Sequence, residues 1–254
     1  MQKRKRMQII REELDKNGII SIDDLAKQLE ISASTIRRDI AELEENHVVR
    51  RIRGGAIPVA NKTSHELPFS TRTDIFKEEK ARIAEAAKQF VHENDTLILG
   101  AGTTTLAFAK TLSDLKPLYV ATSDLMSALE LSTFSNIELT VLGGALRHYH
   151  HSITGYFAEQ MLSQIHADTA FMGVDAIDFN LGLMNFSTED VAVNKLIIKA
   201  ATQTVILCDH SKFDSIAFAN ICGLERIDVL ITGREANPVY LDRLQELGVK
   251  TLVV

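Results

Sequence analysis

The sequence predicts an α/β protein in two parts: three helices closed by a short β-ribbon, then a larger α/β domain built on a mainly parallel sheet. Three observations predict it. Helical periods fill the first 45 residues and give way to a basic, alternating run. A polar stretch with two prolines follows at 58–75 and has no apolar period. From Thr96 onward, β-rich apolar runs alternate with helical patterns, the layout of a parallel sheet covered on both faces.

The first helix is set by Met7, Ile10 and Leu14, spaced i, i+3, i+7, and should stop at Asn17-Gly18. Ser21 then precedes IDDLAKQLE with Asp24 three residues on, a capping box in a shorter acid. Ile22, Leu25 and Leu29 make the buried face of that second helix. Ser32 is a good N-cap for a third, ASTIRRDIAELEENH, in which Ile36, Ile40 and Leu43 must face inward. Ser34, Thr35, Arg37 and Arg38 therefore point elsewhere, clustered in its first two turns. Hydroxyls and guanidinium groups at the start of a second or third helix suit a reader of the major groove: arginine takes guanine O6 and N7 together, while Ser and Thr reach phosphates or base edges. The alternative is a solvated helix face, with Arg37 and Arg38 paired to Asp39, Glu42 or Glu45. The continuation HVVRRIRGGAIP favours the first reading. Val48, Val49 and Ile52 alternate with Arg50, Arg51 and Arg53, and Gly54-Gly55 permits a tight turn. Three helices and a basic two-stranded ribbon make a winged helix-turn-helix over residues 1–57. Its candidate DNA contacts are Ser32, Ser34, Thr35, Arg37 and Arg38, with Arg51 and Arg53 on phosphates.

The charge distribution agrees. The 254 residues carry a net charge of −6, but residues 1–53 hold 12 Lys/Arg against 10 Asp/Glu. A basic head on an acidic remainder suggests that only the head meets a polyanion. No apolar stretch approaches the roughly 18–20 residues of a membrane span, and the N-terminus has no apolar signal core. Cys208 and Cys222 lack metal or redox spacing and are expected to be reduced core-filling residues of a cytoplasmic protein.

After the polar connection, Phe76 to His92 returns to helical spacing through Ile83, Ala87, Phe90 and Val91. The predicted strands are 96–99, 118–122, 138–142, 169–173, 204–208, 228–232 and 251–254, and the helical patterns lie at 104–112, 124–132, 156–166, 189–202 and 237–247. Ligands of open parallel sheets sit beyond the carboxyl ends of strands. Those ends carry Gly100-Ala-Gly102-Thr103-Thr104-Thr105, Thr122-Ser123-Asp124, Gly143-Gly144 with Arg147, Gly173-Val-Asp175, and Asp209-His210-Ser211-Lys212. Thr105 stands where a dinucleotide fingerprint needs its third glycine, and no triphosphate loop motif occurs. What remains suits one phosphate monoester, held by backbone N–H groups and threonine hydroxyls. A tight strand-to-helix turn with a threonine cap is the plainer alternative. Three histidines, His148, His150 and His151, admit a metal, an effector contact or a solvated loop; no carboxylate or cysteine joins them at ligand spacing, and no metal is assigned.

Two groups of residues resemble the DeoR family of bacterial transcription regulators. In the head they are Thr35-Ile-Arg-Arg-Asp39 and the wing Arg50-Arg-Ile-Arg-Gly-Gly-Ala56. In the body they are Arg72, Lys80 within EEKARIA, GAGTTT, VATSD, LGGALR, Ser152-x-x-Gly155, AFMGVDAID, NLGL and LCDHSKF. The resemblance implies a sensor domain at 76–254 related in fold to ribose-5-phosphate isomerase, with a phosphorylated sugar or related metabolite as effector. It further implies a repressor of a carbohydrate-utilisation operon, bound to operator DNA as a homo-oligomer and needing no cofactor. The effector residues expected are Gly100, Gly102, Thr103, Thr104, Thr105, Thr122, Ser123, Gly144, Arg147, Asp175 and Lys212. Ser123 replaces the family's usual Asn, and Asp190 its usual Glu. The rival is an active sugar-phosphate isomerase. Those enzymes carry Gly-Ala-Asp-Glu-Ile-Asp, and here Gly173–Asp178 has Ala176 where the catalytic Glu would stand. No catalytic residue is therefore expected.

Overall fold

The computed structural model describes residues 3–17, 19–45, 48–52, 54–58 and 66–254, so Gly18 and Arg53 lie outside the described residues. They fall into two compact units, Met1–Leu67 and Pro68–Val254.

The smaller unit is a winged helix-turn-helix. Helices α1 (Lys3–Asn17), α2 (Ile22–Gln28) and α3 (Ala33–Glu45) enclose a core of Ile10, Leu14, Ile22, Leu25, Ile36, Ile40 and Leu43. Ser21 caps α2, accepting from the Asp24 N–H at 3.3 Å, and Ser32 Oγ accepts from the Thr35 N–H at 3.3 Å. Strands β2 (Val49–Ile52) and β3 (Gly55–Pro58) form the wing, and a two-residue strand β1 (Ile20–Ser21) pairs with β3. That third strand is too short to read from a sequence. Gly55 makes it possible, because a Cβ there would lie 2.0 Å from the Ile20 carbonyl oxygen.

In the larger unit all seven predicted runs are strands of one parallel sheet. These are β4 (Thr96–Leu99), β5 (Leu118–Thr122), β6 (Ile137–Val141), β9 (Ala167–Met172), β12 (Ala201–Leu207), β14 (Val229–Thr232) and β15 (Lys250–Val253), in the order β15-β14-β12-β9-β4-β5-β6. Helices α5 (Lys77–Ala87), α6 (Thr103–Ala109) and α7 (Leu125–Leu131) cover one face through Ile83, Phe108 and Leu131. Helices α8 (Tyr156–Leu162), α9 (Thr188–Lys199) and α10 (Pro238–Glu246) cover the other through Leu162, Ile197 and Leu244. A sheet buried on both sides needs strands apolar at nearly every position, which is why the runs were readable. Cys208 is buried and Cys222 half-buried, both unpaired, and burial pushes the Cys208 thiol pKa up.

Three features had no sequence signal. Helix α4 (Phe69–Asp74) occupies part of the stretch 58–75, with Phe69 its single buried residue and so no period to detect. Strands β7 (Ala145–Leu146) and β8 (Ile153–Thr154) form a small hairpin, and β10 (Ala176–Asp178), β11 (Gly182–Asn185) and β13 (Ala219–Cys222) form an antiparallel satellite sheet.

Candidate functional site

On the head, α3 presents the predicted reading surface. Ile36, Ile40 and Leu43 are buried, while Ser32, Ser34, Arg37 and Arg38 are exposed and Thr35 is half-buried. Ser32 Oγ lies 2.9 Å from both Ser34 Oγ and Thr35 Oγ1, a hydroxyl cluster at the helix start. Asp39 is buried and belongs to Arg6 of α1, which donates through Nε at 2.6 Å and Nη2 at 3.0 Å. Glu42 pairs with Lys3. Among the described residues neither Arg37 nor Arg38 has an ion-pair partner, and two of the three acids the solvated-pair alternative offered, Asp39 and Glu42, are paired elsewhere. Arg51 on the wing is engaged: Glu44 Oε2 accepts from its Nε and Glu44 Oε1 from its backbone N–H at 2.9 Å. Reaching a phosphate would mean exchanging Glu44 for it.

In the body, β4 has β5 on one side and β9 on the other, so chain connections diverge there, the position at whose carboxyl ends open α/β sheets take their ligands. The Gly100–Thr105 loop fills the end of β4. The Gly100 N–H donates to Phe171 O at 2.9 Å, and a Cβ on Gly100 would come within 3.0 Å of Met172 Cβ, so the loop hugs β9. Thr103 is half-buried, and Thr104 and Thr105 are buried at the first turn of α6; the Thr105 Oγ1 has no hydrogen-bond partner among the described residues. Asp124 caps α7, accepting from the Ser127 N–H at 2.6 Å, and the Gly102 N–H also faces its carboxyl group. Burial raises the Asp124 pKa despite these donors.

Arg72 and Lys212 gather about Lys80 of α5. Lys80, buried on α5, donates from Nζ to the Arg72 carbonyl at 2.5 Å. Burial lowers its pKa from 10.5 to about 8; nearby Asp209 opposes the shift, and Lys212 and Arg72 add to it. Asp209, itself buried, is held below the usual carboxylate range: desolvation works against ionisation, but Lys212, Lys80 and the Ser211 donors together outweigh it. The Glu79 carboxylate accepts from the His210 N–H at 2.8 Å and faces His210 Nδ1 at 2.7 Å, pinning the Asp209–Lys212 turn to α5. Arg72 Nη1 lies 3.4 Å from Asp175 Oδ1, and Asp175 Oδ2 accepts from the Phe186 N–H at 3.1 Å. Three threonines, three cations and two carboxylates thus lie about the ends of β4, β9 and β12, an arrangement that can donate to an anion and accept hydroxyl protons.

Gly100, Gly102, Thr103, Thr104 and Thr105 follow the end of β4, Asp175 the end of β9 and Lys212 the end of β12. Other predicted positions are spent within the fold. The Thr122 hydroxyl donates to Leu99 O at 3.0 Å and accepts from the Asp124 N–H at 3.1 Å. Ser123 is buried and contributes its backbone, its carbonyl accepting from Ile153 at 2.7 Å. Gly144 lets the β7–β8 hairpin close, since a Cβ would sit 2.4 Å from Thr154 O. Arg147 pairs with Asp190 at the start of α9. The histidine loop is only partly solvated: His148 is exposed, but His150 Nδ1 lies 3.5 Å from Arg72 Nη2, and His151 meets the Phe69 ring edge-on at 5.1 Å. No group of three or more His, Cys, Asp or Glu side chains among the described residues is arranged to hold a metal. Lys80 carried a readable signal, a lysine on the buried stripe Lys80, Ile83, Ala84, Ala87. Arg72 stood among the residues of the resemblance and Asp124 at a strand end, but neither was expected to contact the effector.

Two family descriptions match this chain: a DeoR-like helix-turn-helix domain over residues 6–62 and a DeoR C terminal sensor domain over residues 75–234. The HTH-type transcriptional regulator GolR of Listeria innocua is 34% identical over 92% of both chains. The HTH-type transcriptional repressor GlcR of Bacillus subtilis is 35% identical over 100% of this chain and 97% of its own. Among solved structures, a ribose-5-phosphate isomerase in complex with phospho-erythronic acid covers 54% of each chain with 22% identity and a TM-score of 0.41, too slight a likeness to speak to function.

Proposed function

Since the chain belongs to the DeoR family of helix-turn-helix transcriptional regulators, we propose that it represses a carbohydrate-utilisation operon and releases its operator when a phosphorylated sugar enters the body. The head of residues 1–57 reads DNA, the body of residues 76–254 senses the effector, and 58–75 joins them. Work on chromosomal DNA puts the protein in the cytoplasm, and no helix among the described residues is long and apolar enough to cross a membrane. The observation that supports the effector class is the clustering of Arg72 and Lys212 about Lys80, on elements of which α4 and α5 pack against α6, the helix that the glycine–threonine loop opens. The phosphate takes the cations and loop N–H groups, and Asp175 accepts a sugar hydroxyl. Release follows if the effector binds the DNA-free state more tightly than the bound one.

The isomerase reading lacks the glutamate of the isomerase motif. Ala176 is buried with Met184 and Ala217, and the neighbouring Asp175 carboxylate is already engaged by Arg72 and the Phe186 N–H.

The test is thermal stability against a panel of phosphorylated sugars. A selective ligand at a thousandfold excess over its Kd should add about 4 kcal/mol to the stability of the body, and the same ligand should free operator DNA. Silence across the panel would remove phosphorylated sugars as the signal; turnover of a hit would restore the enzyme.

Two further outcomes are expected. Arg38→Ala should weaken operator binding by about 1–3 kcal/mol with the fold unchanged, read by titration of operator against scrambled DNA. Equal binding by the variant would take Arg38 off the reading surface. The second concerns pH. An anion beside Lys80 offsets its desolvation and draws its pKa upward from about 8. Binding near that pH should therefore take up protons and weaken as pH rises through and beyond it. Calorimetry in two buffers of different ionisation heat reads the uptake, and identical heats would place the anion away from Lys80.

A further inference from the structure

We propose that Tyr240 of α10 is a positioning residue for the effector: its ring stacks on both Phe213 and Phe179, and so holds the Lys212 turn and the strand after Asp175 in one fixed relation. The inference deepens the effector reading and rests on it. Tyr240 meets Phe213 with ring centroids 5.6 Å apart and planes 12° apart, and Phe179 at 5.6 Å with planes 24° apart. Arg243, one turn further along α10, lies over the Phe179 ring at 4.3 Å from its centroid. Stacked rings and a guanidinium over a ring face are both attractive and specific in orientation.

Both ring partners of Tyr240 continue segments that carry effector residues. Phe213 directly follows Lys212 and is buried, forming an isolated parallel bridge with Ile177. Ile177 lies on β10, which begins directly after Asp175, and Phe179 follows the end of that strand. The Asp209–Lys212 turn is thus mounted at two points. Glu79 of α5 grips it at His210, and the aromatic stack grips it at Phe213, with Lys212 between them. Past Phe213 the chain turns sharply: Asp214 has a left-handed φ of 50°, and the Ser215 hydroxyl donates to Lys212 O at 2.6 Å. In so tight a turn a shift of Phe213 passes directly to the Lys212 backbone.

The consequence for binding is preorganisation. A lysine carries a compact charge on a flexible four-carbon stem, and a mobile backbone beneath it would add to the freedom lost when an anion arrives. Asp175 has the same need, because a carboxylate that accepts a sugar hydroxyl must stand at a fixed distance from the cation on the phosphate. Tyr240 meets both needs through one ring. Helix α10 does not depend on the stack for its own place: Asn237 caps it, accepting from the Val239 N–H at 3.0 Å, and Leu244 is fully buried beneath it.

The test titrates inorganic phosphate into the full chain, against chloride of equal ionic strength, and reads the melting temperature of the body. Lys212→Ala sets the level of stabilisation that phosphate gives any folded protein, and the unaltered chain should rise above it. Tyr240→Leu, which keeps an apolar side chain but no ring, should need about 3- to 10-fold more phosphate for the same rise, the scale of one lost ring pair. Phe179→Leu should do the same, and Tyr240→Phe, which keeps the stack, should restore most of the affinity. Without phosphate, the Ser211 and Lys212 amides, which donate to Asp209, should exchange faster in Tyr240→Leu while those of β4 and β9 keep their rates. Equal phosphate affinity in Tyr240→Leu, an equal loss in Tyr240→Phe, or unchanged Ser211 and Lys212 exchange would each overturn the positioning role. A phosphate response no larger in the unaltered chain than in Lys212→Ala would instead overturn the effector reading, and this inference with it.

Discussion

Ile40→Ala should yield a chain that still binds its effector but no longer holds operator DNA. Ile40 is fully buried at the centre of α3, in a core it shares with Ile10, Leu14, Leu25 and Ile36. Truncating a buried isoleucine removes about 2–5 kcal/mol through lost transfer energy and the cavity left behind. A single core in a domain below about 70–80 residues rarely supplies more than about 3–5 kcal/mol in total. Met1–Leu67 is such a unit, so the substitution consumes most of its stability. The body has its own two clusters, one on each face of the seven-stranded sheet. Calorimetry should therefore lose the head transition and keep the body transition, together with its shift on adding effector. Operator binding should fall to the non-specific level. Retained specific binding would mean that α3 is held by more than this core. Loss of both transitions would mean that the body depends on the head for its fold.

The same isoleucine stripe explains what the sequence made legible in the head. Once Ile36, Ile40 and Leu43 face inward, the helical period carries Asp39 inward with them and leaves Arg37 and Arg38 outside. The sequence alone offered Asp39 as a partner for those arginines; the partner is Arg6, 33 residues earlier, and no local spacing reveals it. In the body, the sheet was legible because burial on both faces removes the polar alternation that would otherwise blur a strand. The satellite sheet was not, since β10, β11 and β13 are three or four residues long and interrupted by turns.

The site divides along the same line. The rule that ligands meet strand ends located the loops at Gly100, Asp175 and Lys212, but it identifies loops and says nothing of where each hydroxyl points. Thr122 obeys the rule and is nevertheless spent on Leu99 O and the Asp124 N–H. Two of the three cations come from α4 and α5, ahead of the sheet, and the Arg72–Asp175 contact spans 103 residues. Such long-range pairs are fixed by packing, which a single sequence does not display.

Lys212→Ala should produce a regulator that needs far more of its signal. The ammonium lies at the end of β12, close enough to Asp209 to help hold that carboxyl ionised, and forms no ion pair among the described residues. If the effector is the phosphorylated sugar proposed above, this is the cation free to pair with its phosphate. A hydrogen bond to a charged group contributes about 1.5–3 kcal/mol, so effector affinity should fall roughly 10- to 100-fold. Lys80 remains to compensate Asp209, and the fold should survive with an unchanged melting temperature. Operator affinity without effector should match the unaltered protein, while the effector concentration needed for release rises by the same 10- to 100-fold. Lys212→Arg, which keeps the charge with a different geometry, should recover part of the response. Thr104→Val tests the other wall of the pocket by removing one hydroxyl, with a smaller loss expected. Full release of Lys212→Ala at the ordinary effector concentration would move the phosphate away from the β12 end. Release with no effector present would carry a different meaning: Lys212 would then stabilise the DNA-bound state itself, and the signal would act by drawing it away.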